Sequence, residues 1–119
     1  MSDVVLDQTI LSILEQRLGR DRVVKVVAAQ LSHGAELLEA LVALEQAPDR
    51  DRIRAIAHQM AGSSGSIGLT RLGEMAGTLE LQVPDLSPDT LGGAVRQLVA
   101  QMRLSFARLT EIYPEAAGG

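Results

Sequence analysis

Apolar residues recur along this chain at steps of three, four and seven, the spacing of one helix face rather than the alternation of a strand. Five segments carry the pattern. The first opens behind Asp7, an N-cap residue type, runs through Ile10, Leu11, Leu14 and Leu18, and closes at Gly19. The second, from about Asp21 to Ala47, sets Val23, Val27, Leu31, Leu38, Leu41 and Leu44 on a stripe before Pro48 stops it. A third starts near Arg50, capped by Asp49, with Ile53, Ile56, Ala57 and Met60. A fourth starts near Thr70 and carries Leu72, Met75, Ala76 and Leu79. The stretch LQVPDLSPD, residues 81–89, holds two prolines and reads as the one real connecting loop. Ser87 followed by Pro88 is a strong helix start. The last helix then spaces Leu91, Val95, Leu98, Met102, Leu109 and Ile112 on one face. The tail, residues 114–119, is expected to fray.

Short links between long amphipathic segments favour antiparallel neighbours. The pattern therefore predicts an all-α fold, an antiparallel up-and-down four-helix bundle with an additional short N-terminal helix. At 119 residues the chain suits one domain over residues 1–119. Aromatics are only 2%, so the core must be aliphatic, which suits helices better than a β-sandwich.

Charge and cysteine content narrow the function classes. A net charge of −4 without a basic face argues against nucleic acid as a partner. Lack of cysteine excludes disulfides and thiolate zinc sites. The N-terminus has no secretory pattern, and no apolar run approaches the roughly 18 to 20 residues that span a bilayer. A soluble cytoplasmic monomer with no membrane association is expected.

The third segment poses a problem that patterning does not solve. It continues as AHQMAGSSGSIG, residues 57–68, with glycines and serines inside a helical register. Together, Gly62, Ser63, Ser64 and Gly65 cost a helix roughly 2 to 3 kcal/mol relative to alanine. Three explanations compete: the helix ends at Gly62, small residues permit close helix packing, or they flatten a surface for a partner. On a wheel turning about 100° per residue, Ile53, Ile56, Ala57, Met60 and Ser64 cluster on one side. His58 falls about 140° from Ile53, among Asp51, Arg54, Ala55, Ala61, Gly62 and Gly65. The histidine thus projects outward, with short side chains at i−3, i+3 and i+4.

The run His58-Gln59-Met60-Ala61-Gly62-Ser63-Ser64-Gly65-Ser66-Ile67-Gly68, followed by Arg71-Leu72 and later Leu79-Glu80, resembles the signature of histidine-containing phosphotransfer (HPt) domains. Histidine, glycine, double serine and second glycine all fall at that family's spacing. One position departs. The family usually places lysine three residues after the histidine, and here Ala61 stands there, which bears on the rate of transfer rather than on the kind of domain.

The resemblance implies a phosphorelay intermediate, a carrier rather than an autonomous enzyme. His58 would accept a phosphoryl group from a receiver-domain aspartyl phosphate and pass it to another receiver aspartate. Its partners would be response-regulator receivers and a hybrid histidine kinase. No cofactor of its own is implied, because the receiver would bring Mg²⁺ in its acidic pocket. The partner-binding surface would include Arg54, Ala55, Gln59, Ala61, Gly62 and Gly65, with Arg54 as the local candidate for a cation. Neutral imidazole is a competent nucleophile near pH 7. Two alternatives remain: an adaptor that binds receivers without carrying phosphate, and a dimerisation and phosphoacceptor module of a histidine kinase.

Other readings fail on the residues. His33 stands beside Gly34 with none of the flanking motif and reads as structural or exposed. The two histidines lack helical metal-pair spacing, and the Gly-Ser run has neither a preceding strand nor a following Lys-Ser/Thr, so metal-site and P-loop readings fall away. Met60, Met75 and Met102 sit at apolar positions and read as core fillers.

Overall fold

The structure, a computed structural model, describes residues 3–117. These residues form α1 (Gln8–Leu18), α2 (Arg20–Gln46), α3 (Arg50–Ser66), α4 (Thr70–Gln82), a 3-10 turn (Val83–Asp85), α5 (Pro88–Ile112) and α6 (Pro114–Ala117), and no strand. The long helices α2 to α5 make the four-helix bundle. In it α2 packs on α3 and α5, α4 packs on the same two, and α1 lies against α2.

Local chemistry sets the helix boundaries where the pattern expects them. Asp7 caps α1 by accepting from the Thr9 N–H at 3.0 Å, and Asp49 caps α3 through the Arg52 N–H at 3.2 Å. The Ser87 hydroxyl accepts from the Thr90 N–H at 3.2 Å, ahead of Pro88 at the first helical position. Gly19, at φ 83°, is the single residue between α1 and α2, so the backbone reverses in a conformation that side chains disfavour.

The core is aliphatic, as expected, except for the buried ring of Tyr113. Ile53, Ile56, Ala57 and Met60 of α3 are buried against Leu72, Ala76 and Leu79 of α4 and the α2 and α5 stripes. Each large side chain so buried contributes about 1.5 to 3 kcal/mol. This apolar anchorage on one side lets α3 carry destabilising residues on the other.

Four expectations need correcting. In α2 the buried positions are Val23, Val27, Gly34, Leu37, Leu41 and Leu44, whereas Leu31 and Leu38 lie at the margin. Small size decides this at Gly34, where a β-carbon would stand 2.5 Å from the Phe106 ring of α5. Met75 is likewise only partly buried. The second correction concerns residues 81–89. Leu81 and Gln82 continue α4, and the two prolines are absorbed by the 3-10 turn and the α5 start. Third, residues 114–117 form α6 rather than a frayed end, with Ala116 buried. Arg20 holds them: it donates to Glu115 at 3.1 and 3.2 Å, to the Ile112 carbonyl at 3.2 Å, and stacks over the buried Tyr113 ring at 4.8 Å. Gly118 and Gly119 lie outside the described residues. Finally, α2 is long and apolar enough by length and composition to cross a membrane. In the bundle its stripe is core.

Candidate functional site

Helix α3 runs unbroken through the Gly-Ser stretch to Ser66. The chain then turns at Gly68, φ 86°, where a β-carbon would meet the Asp7 carbonyl oxygen at 2.6 Å. The reading in which the helix stops at Gly62 is therefore excluded. Nor do Gly62 and Gly65 serve helix packing through their own missing side chains, because a β-carbon at either meets nothing within 4 Å. The glycine at the α3–α4 contact is Gly73 on the opposite helix, where a β-carbon would lie in ordinary van der Waals contact, 3.4 Å from the Gly65 nitrogen and 3.5 Å from the Ala61 carbonyl oxygen. What Gly62 and Gly65 leave is bare helix surface beside His58.

The two serines between them do different work. Ser63 donates to the Gln59 carbonyl at 3.0 Å and accepts from Gln30 of α2 at 3.1 Å, tying α3 to its neighbour. Ser64 is fully buried and, among the described residues, its hydroxyl has no hydrogen-bond partner. Its small size is what the α3 core face uses. Arg71 is structural too. It donates to Gln101 at 3.0 Å, which in turn donates to buried Ser105 at 3.1 Å.

His58 stands on the exposed face with 77% of its side chain accessible. Its ring is nevertheless fixed, since Nδ1 lies 2.7 and 3.0 Å from the two carboxylate oxygens of Glu80 on α4. An ionised carboxylate only accepts hydrogen bonds, so the proton of the neutral ring belongs on Nδ1 and the lone pair on Nε2. The free nitrogen of an exposed imidazole is thereby made the nucleophilic one. Glu80 is itself only 24% accessible, and the α4 backbone holds it in place.

Arg54, Ala55 and Gln59 gather with His58 in one open depression, whose remaining lining is Asp51, Glu80, Leu81 and Pro84. Gly62 and Gly65 continue the exposed ridge toward the end of α3. Ala61 stands at the α4 edge of this surface. It is half-buried, facing Gly77 of α4 at 3.9 Å from a β-carbon built there. Asp51, Glu80, Leu81 and Pro84 are the lining residues that the sequence reading does not assign to the site. Leu81 is 80% exposed although large and apolar. Glu80 carried a signal, since Leu79-Glu80 belongs to the resemblance, but nothing in the sequence says that it meets His58. His33 is exposed, as expected, and its Nε2 lies 3.1 Å from the Gln59 side-chain oxygen. Among the described residues no cluster of three or more His, Asp or Glu could hold a metal ion.

The fold has counterparts among solved structures. Histidine-containing phosphotransfer protein B from Pseudomonas aeruginosa PAO1 is similar at 24% identity and a TM-score of 0.75, covering 96% of this chain and 95% of its own. The maize histidine-containing phosphotransfer protein ZmHP2 is similar at 20% identity and a TM-score of 0.73, covering 99% and 88%. A putative histidine-containing phosphotransfer protein from rice is similar at 21% identity and a TM-score of 0.64, covering 95% and 84%. A search of curated protein sequences finds no match. The Hpt domain family model matches residues 10–105, a span that takes in most of α1, the gripped histidine and the larger part of α5; the chain belongs to the Hpt domain family.

Proposed function

We propose that this Hpt domain carries phosphoryl groups between receiver domains on Nε2 of His58. The observation that carries the reading is the Glu80 grip on Nδ1, at 2.7 Å, of a ring that is otherwise exposed. In the forward step Nε2 attacks the phosphorus of a receiver aspartyl phosphate. The N–P bond forms, the P–O bond to the aspartate breaks, and the carboxylate leaves with its electron pair. The Nδ1 proton stays on the ring, where Glu80 offsets the positive charge that the imidazole gains. Transfer to a second receiver is the same step reversed.

Such a reaction needs positioning and charge neutralisation more than covalent machinery. The receiver supplies the acidic pocket and Mg²⁺, and this chain supplies the nucleophile and a seat. That seat is the depression around His58 with the bare ridge of Gly62 and Gly65 on one side. Exposed Leu81, with Pro84, offers an apolar foothold on the other side. The protein acts as a carrier with no kinase or phosphatase activity of its own.

The test is incubation of the full chain with receiver domains phosphorylated by acetyl phosphate and Mg²⁺. An acid-labile, alkali-stable label on the chain, lost in His58→Gln, is the expected result. Receiver binding without any label would instead make the protein an adaptor and overturn the carrier reading.

A further inference from the structure

A phosphoryl group on Nε2 of His58 would enter an acidic neighbourhood. Glu80 is already in contact with the ring, and Asp51 lines the same depression. Glu80 answers the charge of the ring and not that of the phosphoryl group, so a group bearing close to two negative charges beside Asp51 is disfavoured unless a cation meets it, even in an open site where solvent screens it. The residue that would ordinarily be looked to one turn after the histidine is Ala61, which is uncharged and turned toward α4. A cation must come from elsewhere, and the depression contains one.

Arg54 lies one turn before His58, exposed, in the same depression. Among the described residues it forms no ion pair: the carboxylate nearest the histidine, Glu80, is taken up by Nδ1, and the paired arginines are Arg20 and Arg71. Arg50, one turn further back, donates to the Val83 carbonyl and is held away from the ring. Residues four apart share a helix face, so the guanidinium of Arg54 has both reach and freedom. Its planar fork also suits two phosphoryl oxygens at once.

We infer that Arg54 clamps the phosphoryl group carried on His58, approaching it from the N-terminal side of α3, and so supplies the cation that position 61 lacks. The clamp rests on His58 being the carrier. It acts on the transferring group, so its loss slows transfer at saturating receiver and shortens the life of the loaded state, while receiver affinity changes less.

The experiment measures single-turnover transfer from an acetyl-phosphate-loaded receiver to the full-length chain, together with receiver affinity and loss of label over time. Arg54→Ala is expected to cut the saturating rate about tenfold, less than losing a donor from a fully enclosed oxyanion site because this depression is open. Ala61→Lys added to that variant should restore most of the rate, since the new lysine would enter from the opposite turn. Circular dichroism checks that every variant keeps wild-type helicity. An Arg54→Ala rate within twofold of wild type, with His58 still labelled, overturns the clamp and leaves the carrier reading intact. A slow variant that Ala61→Lys does not rescue overturns it as well, because the loss would then not be one of charge. If wild type takes no label on His58, the carrier reading itself falls.

Discussion

The protein has two histidines, each exposed on a helix and each with a glycine nearby, and only one has the surroundings of a reactive group. The His58 ring has one nitrogen fixed by a carboxylate from another helix, and its other nitrogen faces solvent. His33 has polar neighbours at both nitrogens: Gln59 at 3.1 Å from Nε2, and Glu36 at 3.8 Å from Nδ1. Their glycines differ in the same sense. Gly34 is packed beneath Phe106 and has no room for a β-carbon, whereas Gly62 faces open space. Glycine beside His33 serves the core, and glycine beside His58 serves access. Exposure alone therefore does not make a site; an oriented ring with one free nitrogen and a cleared approach does.

The largest effect that could break this contrast is an exchange of roles. His58→Gln should abolish phosphoryl uptake, whereas His33→Gln should leave it within about twofold, since surface substitutions of that kind change stability by less than about 0.5 kcal/mol. Retained labelling in the first variant or lost labelling in the second would erase the distinction. Next comes the grip. Glu80→Ala should slow transfer about tenfold or more by freeing the ring and its tautomer, and Glu80→Gln should lose less, because the amide oxygen can still accept from Nδ1. Equal rates for Glu80→Ala and wild type in single-turnover kinetics would count against the grip.

The two glycines give a sharper and smaller pair. Gly34→Ala should destabilise the fold by about 1 to 3 kcal/mol through collision with Phe106, with transfer unchanged below its melting temperature. Gly62→Ala should stabilise it by up to about 1 kcal/mol, whereas Gly62→Lys keeps the helix but obstructs the receiver. Denaturant unfolding and receiver titration separate these outcomes, and normal docking of Gly62→Lys would sink the cleared-approach argument.

The smallest effect is a control that touches neither histidine. Glu115 is held below the ordinary carboxylate range, first by its own backbone N–H and then by Arg20. A carboxyl with a lower pKa folded than unfolded adds stability above its unfolded pKa and loses it as pH falls through the folded one. Glu115→Gln should therefore lower Tm slightly at neutral pH and make no difference in strong acid, with transfer unaltered.

Much of this was legible in the order of residues. Asp7, Asp49 and Ser87-Pro88 announce helix starts because capping is a local bond between neighbours in the chain. The buried face of α3 follows from the 3.6-residue period, and so does the outward direction of His58. The α2 stripe misread Leu37 because Gly34, which carries no hydrophobic signal, is the residue that admits Phe106. The tail was misread because Arg20, far back in the chain, is what holds Glu115 and Tyr113.

The sequence by itself determined the five main helices, the core face of α3 and the histidine that stands clear of it, since each depends on residues within a turn or two of one another. Only the tertiary structure decided which nitrogen of His58 is free, that Glu80, Leu81 and Pro84 border it, and that Ala61 sits half-buried against α4 while Arg54, among the described residues, forms no ion pair. Those facts depend on how α4 lies against α3. The register between two helices is set by packing across the bundle, a relation between distant residues that no local pattern encodes.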